Sequence, residues 1–175
     1  SVIAAQLLGL RPGIPVAQGA ADAWAALIGL GVVSPGKMAM ITGSSQVLTG
    51  QSDKPIHGKG FFGAYTDGVV KGQYTVEGGQ VSTGSVLKWF KDNFARDLIQ
   101  AADRTGLNVY DLLNKASKDL PPGSNGLIIN EYFQGNRTPH TDSKVRGIIW
   151  GLTLAHGPEH MYRAIQESIA YDTAH

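Results

Sequence analysis

The acidic side chain best placed to do chemistry is Asp22, the single charged residue in the stretch from Ile14 to Trp24. The stretch before it, Ile14-Pro15-Val16-Ala17-Gln18-Gly19, favours a short strand and a tight turn, and residues 23–33 favour an apolar helix. A carboxylate held at the end of a strand lies where α/β proteins place their ligands. Asp22 is therefore a candidate functional group, although an Asp before an apolar helix is more often a simple helix cap.

A second group of polar residues, Thr42-Gly43-Ser44-Ser45, separates two apolar segments at 38–41 and 46–48. This order predicts a hairpin whose amides and hydroxyls face phosphate groups, because backbone N–H groups in turns make anion-binding surfaces. Without further support the same residues form an ordinary polar turn more often than a binding loop. The glycines of Gly78-Gly79-Gln80 likewise predict a strand-to-helix turn that requires positive φ.

Three other patterns are assigned structural roles or rejected. The dinucleotide-like run at 58–63 is followed by strand-like alternation, and no helix is predicted there to present amides to a pyrophosphate. His156 and His160 have the spacing of an inverted zinc protease motif, but Pro158 favours the start of a helix that leaves His156 outside. In the polar loop after Tyr132, we expect Arg137 and Asp142 to order the chain rather than to bind an anion.

Composition excludes several classes of protein. The chain has 175 residues, 42% of them hydrophobic, which is enough for one domain-sized core. Its net charge is +1 and its basic residues are scattered, so a nucleic acid partner is not expected. It has no Cys, and no apolar run approaches the roughly 20 residues of a membrane helix. We therefore expect a cytoplasmic protein with no metal site on its own side chains.

The hydrophobic pattern predicts strands followed by helices, which is an α+β (α/β-type) arrangement. Helices are expected at 2–10, 23–33, 85–94, 98–120 with a break near 106–108, 145–155 with Ile148, Ile149 and Leu152 inward, and from 157 onward. Strands are expected at 38–41, 46–48, 60–65, 69–76 and 126–130. A break at 34–37 separates the first helices from the strands.

Three blocks of residues, spread over nearly the whole chain, form a further pattern in this sequence. The first is Gly13-Ile14-Pro15-Val16 through Asp22-Ala23, and the second is Glu77-Gly78-Gly79-Gln80 through Trp89-Phe90. The third runs from Asn136-Arg137-Thr138-Pro139 through Glu167-Ser168-Ile169-Ala170-Tyr171. These blocks resemble segments of the FGGY carbohydrate kinases and occur in the family's order. A single block would be weak support, whereas three in order make the resemblance specific.

The resemblance implies an enzyme that phosphorylates a small sugar or polyol with ATP and Mg²⁺. It implies that Asp22 is the catalytic base and that Asp22 and Ala23 contact the substrate. It implies nucleotide contacts from Thr42, Gly43, Ser44 and Ser45, and from Gly78, Gly79 and Gln80. Because Thr precedes Gly in the hairpin, the hydroxyl that reaches phosphate is left open. The pair Asp22-Ala23 resembles ribulokinase-type members more than others, which favours a ketopentose.

The resemblance also implies a ribonuclease H-like lobe of the actin and sugar kinase superfamily, incomplete at both ends. Residues 1–36 correspond to the end of the first, sugar-binding lobe, and residues 37–175 to the beginning of the second, nucleotide-binding lobe. We accordingly expect the chain alone to be inactive, and a homodimer is compatible with the family. The alternative is a non-catalytic actin-like protein that binds nucleotide or assembles, for which no carboxylate at Asp22 is required.

Overall fold

A computed structural model of the protein describes residues 1–17 and 19–175. They form a mixed α/β structure with two antiparallel sheets, one of four strands and one of two, and a group of helices. The helices are α1 (Val2–Leu8), α2 (Asp22–Gly29), α3 (Gly84–Phe94), α4 (Arg96–Thr105), α5 (Val109–Ser117) and α6 (Pro158–Ala174). The strands are β1 (Met38–Thr42), β2 (Gln46–Ser52), β3 (Gly63–Thr66), β4 (Tyr74–Gln80), β5 (Ile128–Asn130) and β6 (Ile148–Trp150).

The main sheet has the strand order β1-β2-β4-β3, with every pair antiparallel. Its register places Thr42 opposite Gln46 and Gln46 opposite Gln80, so the β1–β2 turn lies beside the end of β4. A Cβ atom on Gly79 would lie 2.1 Å from the carbonyl oxygen of Gln46, which is far inside contact distance. Glycine is therefore required where β4 meets β2.

Two separate apolar clusters hold the elements together. The larger one joins α3, α5, β5 and α6 through fully buried side chains, among them Phe90, Leu113 and Ile165. The smaller one buries Leu27 of α2 with Val32 and Ala39. Among the described residues, no helix is both long enough and apolar enough to cross a bilayer.

The helix predicted at 145–155 is wrong. This region contains β6, which pairs with β5, and Ile148, Ile149 and Leu152 are exposed instead of pointing inward. The β-branched residues Ile148 and Ile149 favour a strand. The glycines on either side of the strand, Gly147 and Gly151, lie close to the backbone of other segments. A Cβ on Gly151 would lie 2.3 Å from the carbonyl oxygen of Gly126, and Gly151 has φ +83°.

Other predicted elements differ mainly in their bounds. Residues 14–17 form no strand, so the predicted strand before Asp22 is wrong where the structure describes it, and Gln18 lies outside the described residues. Helix α2 ends at Gly29 rather than at residue 33. Strand β4 occupies 74–80 instead of 69–76, because residues 67–73 turn the chain between β3 and β4. The predicted break in 98–120 is confirmed, and Gly106 ends α4 with left-handed φ.

A buried carboxylate, Glu131, connects the end of β5 to α6. It is 3% exposed, it accepts a hydrogen bond from the hydroxyl of Ser168, and its Oε1 has no partner among the described residues. Burial raises the pKa of Glu131 to about 7, and the nearby carboxylate of Asp172 contributes in the same direction. The hydroxyl of Tyr132 donates to Asp172 Oδ1 over 2.9 Å, which fixes this second carboxylate.

The raised pKa of Glu131 predicts a pH-dependent stability. The folded chain retains a proton that the unfolded chain loses above its ordinary pKa of 4.5, so the free energy of unfolding falls as pH rises from about 4.5 to about 7. For a rise of the pKa from 4.5 to about 7, the fall amounts to roughly 3 kcal/mol. Urea unfolding between pH 5 and pH 8 will show this fall in the wild type and a flatter profile for Glu131→Gln. The exposed-acid control Asp103→Asn will keep the wild-type slope, and equal slopes for wild type and Glu131→Gln would contradict the assignment.

Candidate active site

Asp22 is the first residue of α2, and its side chain is exposed to solvent. Ala21 occupies the N-cap position, and no side chain caps the helix. The Oδ1 atom of Asp22 accepts a hydrogen bond from the N–H of Ala23 over 2.7 Å, so the carboxylate binds its immediate neighbour rather than the second or third amide of the helix. The structure therefore places Asp22 at the helix start without giving it the usual N-cap role.

The orientation of α2 is set by its contacts with the sheet. Leu27 is fully buried, and the ring of Trp24 packs on Tyr65 of β3 with centroids 5.0 Å apart. Two residues correspond to about 200° of rotation around a helix, so Asp22 lies on the side opposite Trp24. The Asp22 side chain is exposed, so a ligand can reach its carboxylate.

The hairpin predicted at 42–45 is present, and it packs on the start of α3. The carbonyl of Gly43 accepts from the N–H of Gly84, and the carbonyl of Ser44 accepts from Thr83 and Ser85. These bonds satisfy amides at the helix start that have no partner within the helix. A Cβ on Gly84 would lie 2.4 Å from the carbonyl oxygen of Gly43, so this contact also requires glycine.

The outer side of the hairpin carries its polar groups. Thr42, Gly43 and Ser44 are exposed, and Ser45 is half-buried. The hydroxyls of Ser44 and Ser45 make no hydrogen bond within the described part of the chain, whereas Thr42 Oγ1 donates to Gln46 Oε1 over 3.4 Å. With its carbonyls turned toward α3, the hairpin presents hydroxyl donors to the open side, which suits an anionic ligand.

Gly78, Gly79 and Gln80 are the last residues of β4, so the predicted strand-to-helix turn at these positions is wrong. They pair in register with Leu48, Val47 and Gln46 of β2. The side chain of Gln80 is buried, and its Nε2 donates to the carbonyl of Ile169 over 2.9 Å. Its Oε1 accepts from the hydroxyl of Thr173, so the side chain of Gln80 joins α6 to the sheet.

The loop after Tyr132 is attached to this end of β4. The N–H of Gly79 donates to Thr138 Oγ1 over 3.0 Å, and the N–H of Thr138 donates to the carbonyl of Gly79 over 3.2 Å. Asp142 orders the loop as expected, since its carbonyl accepts from the N–H of Asn136. Arg137 also orders the loop, since its carbonyl accepts from the N–H and the hydroxyl of Thr141, each over 3.0 Å. Its guanidinium lies beside Glu77, with 3.9 Å between Nη1 and Oε1.

Sequence reasoning missed the contact of Glu77 with Trp24, whose indole Nε1 donates to Glu77 Oε2 over 3.4 Å. The two residues are far apart in the chain, and no local pattern indicates that they meet. The rejection of the histidine pattern agrees with the structure: α6 begins at Pro158 and leaves His156 outside. Among the described residues, no group of three or more His, Cys, Asp or Glu side chains is arranged to hold a metal ion.

Comparison with known sequences extends these observations. Residues 38–175 match the model of the FGGY family of carbohydrate kinases, C-terminal domain. The chain is 37% identical over 172 residues to a ribulokinase of Anoxybacillus flavithermus, covering 97% of this chain and 30% of that protein. It is also 37% identical over 169 residues to a gluconokinase of Bacillus subtilis, covering 94% of this chain and 32% of that protein. The chain thus spans about a third of the length of these relatives.

Solved structures show the same fold. A xylulose kinase from Rhodospirillum rubrum superposes with a TM-score of 0.76 at 28% identity, covering 97% of this chain and 32% of that one. A ligand-bound xylulose kinase from Lactobacillus acidophilus superposes with a TM-score of 0.73 at 26% identity, covering 97% and 33% of the two chains. The expected ribonuclease H-like fold is confirmed by these neighbours. With a family model that matches most of its residues, the chain belongs to the FGGY family of carbohydrate kinases.

Proposed function

We propose that this chain is part of a kinase that transfers the γ-phosphoryl group of ATP to a hydroxyl of a small sugar or polyol. Membership of the carbohydrate kinase family supports the reaction class. The observation that supports the residue roles is the exposed carboxylate of Asp22 at the first position of α2. The polar outer face of the 42–45 hairpin supplies groups suited to the nucleotide.

Asp22 acts as the general base in this proposal. A sugar hydroxyl is weakly acidic, so its nucleophilic oxygen gains from a carboxylate that accepts the proton as the bond to the γ-phosphorus forms. The bond between that phosphorus and the bridging oxygen of ADP breaks, and ADP leaves with the electron pair. The carboxylate can accept this proton because its hydrogen bond within the described residues is to the adjacent N–H of Ala23, through Oδ1. Ala23 lies next to it and is half-buried, in place to contact the same substrate.

The nucleotide contacts are assigned to the hairpin and to the backbone of Gly78 and Gly79. Ser44 and Ser45 provide hydroxyl donors, and Thr42 and Gly43 are exposed beside them. Mg²⁺ would neutralise charge on the phosphates and be held mainly by those phosphates and water, which fits a region without a protein-built metal cluster among the described residues. Gln80 stays in this set through its backbone at the end of β4, because its side-chain amide is bound to α6.

A ketopentose is the proposed substrate. The support comes from the ribulokinase relative and from the xylulose kinase structures that share the fold. The gluconokinase relative has the same percentage identity, so gluconate is the competing substrate to be measured beside ribulose, xylulose and glycerol. Sugar-dependent ADP release by the full-length protein that contains this chain tests the proposal. If none of the tested sugars or polyols stimulates ADP release, the proposal is contradicted.

We also propose that residues 1–36 belong to the sugar-binding lobe and residues 37–175 to the nucleotide-binding lobe. The family model begins at residue 38, where β1 starts. Helix α2 ends at Gly29, and the intervening residues form turns and one bridge between Pro35 and Gln51. A connection of this kind suits a boundary between two lobes.

Substitution of the base gives a direct prediction. Asp22→Asn in the full-length protein will lower kcat by about 100-fold or more, because the amide keeps the size of the side chain but cannot take a proton. The KM for ATP will change little, since the hairpin is untouched. Steady-state assays of ADP release measure both constants. Near wild-type turnover by Asp22→Asn would rule out the base assignment.

Two serine variants identify the hydroxyl that contacts phosphate. Of Ser44→Ala and Ser45→Ala, at least one will raise the KM for ATP by about tenfold, the effect of losing one hydrogen bond to a charged group. The control Thr66→Ala removes an exposed hydroxyl at the far end of β3 and will leave the KM unchanged. If both serine variants bind ATP like the wild type, the hairpin hydroxyls do not contact the nucleotide.

A further inference from the structure

The carboxylate of Glu77 lies between two parts of the molecule and contacts each with a different oxygen. Oε2 accepts from the indole Nε1 of Trp24 over 3.4 Å, and Oε1 lies 3.9 Å from Nη1 of Arg137. The Glu77 side chain is 14% exposed and that of Arg137 is 29% exposed. At this degree of burial the attraction between the two charges is screened less than at an open surface.

On one side, the contact reaches the helix that carries Asp22. Trp24 is two residues after Asp22 in α2, and its ring is held between Tyr65 and the backbone near Gly68. A Cβ atom on Gly68 would lie 3.2 Å from the Trp24 ring, so the ring fits closely there. The hydrogen bond to Glu77 also fixes the orientation of the Trp24 ring, because the indole N–H must point at its acceptor.

On the other side, the contact reaches the loop at the end of β4. The guanidinium of Arg137 lies over the ring of Phe62 at 4.7 Å, and the next residue, Thr138, exchanges two hydrogen bonds with Gly79. The N–H of Phe62 donates to the carbonyl of Glu77 over 2.8 Å. Glu77 of β4 therefore contacts two further parts of the chain. Its carbonyl accepts from Phe62, just before β3, and its carboxylate lies beside Arg137 of the 136–142 loop.

We propose that Glu77 is a positioning residue that fixes the orientation of α2, and thereby the Asp22 carboxylate, relative to the nucleotide-binding end of β4. This inference rests on the proposed function, in which Asp22 is the base and Gly78 and Gly79 lie at the nucleotide. Glu77 is suited to the role because it immediately precedes these two glycines and contacts the helix of Asp22 through Trp24. Misplacing a reacting group by about 1 Å can cost 100-fold in rate, so a modest rotation of α2 would be visible in kcat.

The test uses Trp24→Phe, Glu77→Gln and Glu77→Ala in the full-length protein. Trp24→Phe keeps an aromatic ring against Tyr65 but removes the N–H donor and part of the indole, so it should fold even if Glu77→Ala does not. We expect kcat to fall about tenfold for Trp24→Phe and further for Glu77→Ala, with the KM for ATP within about threefold of wild type. Glu77→Gln keeps an acceptor for the indole and should retain more of kcat than Glu77→Ala. Trp150→Phe is the matched control, since the exposed Trp150 has no indole hydrogen bond among the described residues.

A double-mutant cycle separates positioning from a loss of packing. If Trp24 acts through Glu77, the double variant Trp24→Phe/Glu77→Ala will be no slower than Glu77→Ala alone. Wild-type kcat for Trp24→Phe and Glu77→Ala, or fully multiplicative losses in the double variant, would overturn the inference. Asp22→Asn is assayed in parallel. If Asp22→Asn lowers kcat by about 100-fold or more while Trp24→Phe and Glu77→Ala keep the wild-type kcat, only the positioning role fails. Near wild-type turnover by Asp22→Asn would overturn the proposed function itself.

Discussion

The close approach of β4 to β2 at Gly79 is the contact on which the other features of the site depend. No side chain fits there, because a Cβ would lie 2.1 Å from the Gln46 carbonyl oxygen. The resulting register places the 42–45 hairpin beside the end of β4. It also lets the side chains of Gln46 and Gln80 meet Thr173, which joins the sheet to α6. One backbone contact thus fixes the hairpin, the glycines and the last helix relative to one another.

In the proposed function, the polar turn between β1 and β2 serves as the phosphate-binding surface. Its carbonyls satisfy the first amides of α3, so the helix start is used internally and is not open to a ligand. The same bonds turn the acceptors inward and leave the serine hydroxyls on the outside. In the proposed kinase, a phosphate would meet the hairpin and not the helix terminus, which differs from a phosphate loop that uses a helix dipole.

The sequence predicts most of this arrangement where the cause is local. The β1–β2 hairpin, the break before α5 and the exclusion of His156 from α6 follow from turn residues and from proline. The helix predicted at 145–155 is wrong because pairing with β5 overrides an apolar spacing that also suits a helix. The burial of Gln80 and the contact of Glu77 with Trp24 join residues distant in the chain, and one sequence gives no sign of such contacts.

The central claim is that Asp22 takes the proton of the hydroxyl that is phosphorylated. The most direct measurement is a crystal structure of the full-length protein with a ketopentose and a non-hydrolysable ATP analogue. The account predicts a carboxylate oxygen of Asp22 within about 3 Å of one sugar hydroxyl, with that hydroxyl facing the terminal phosphate and the phosphates against the 42–45 hairpin. A bound sugar whose reacting hydroxyl lies away from Asp22, and against a different acidic side chain, would contradict it.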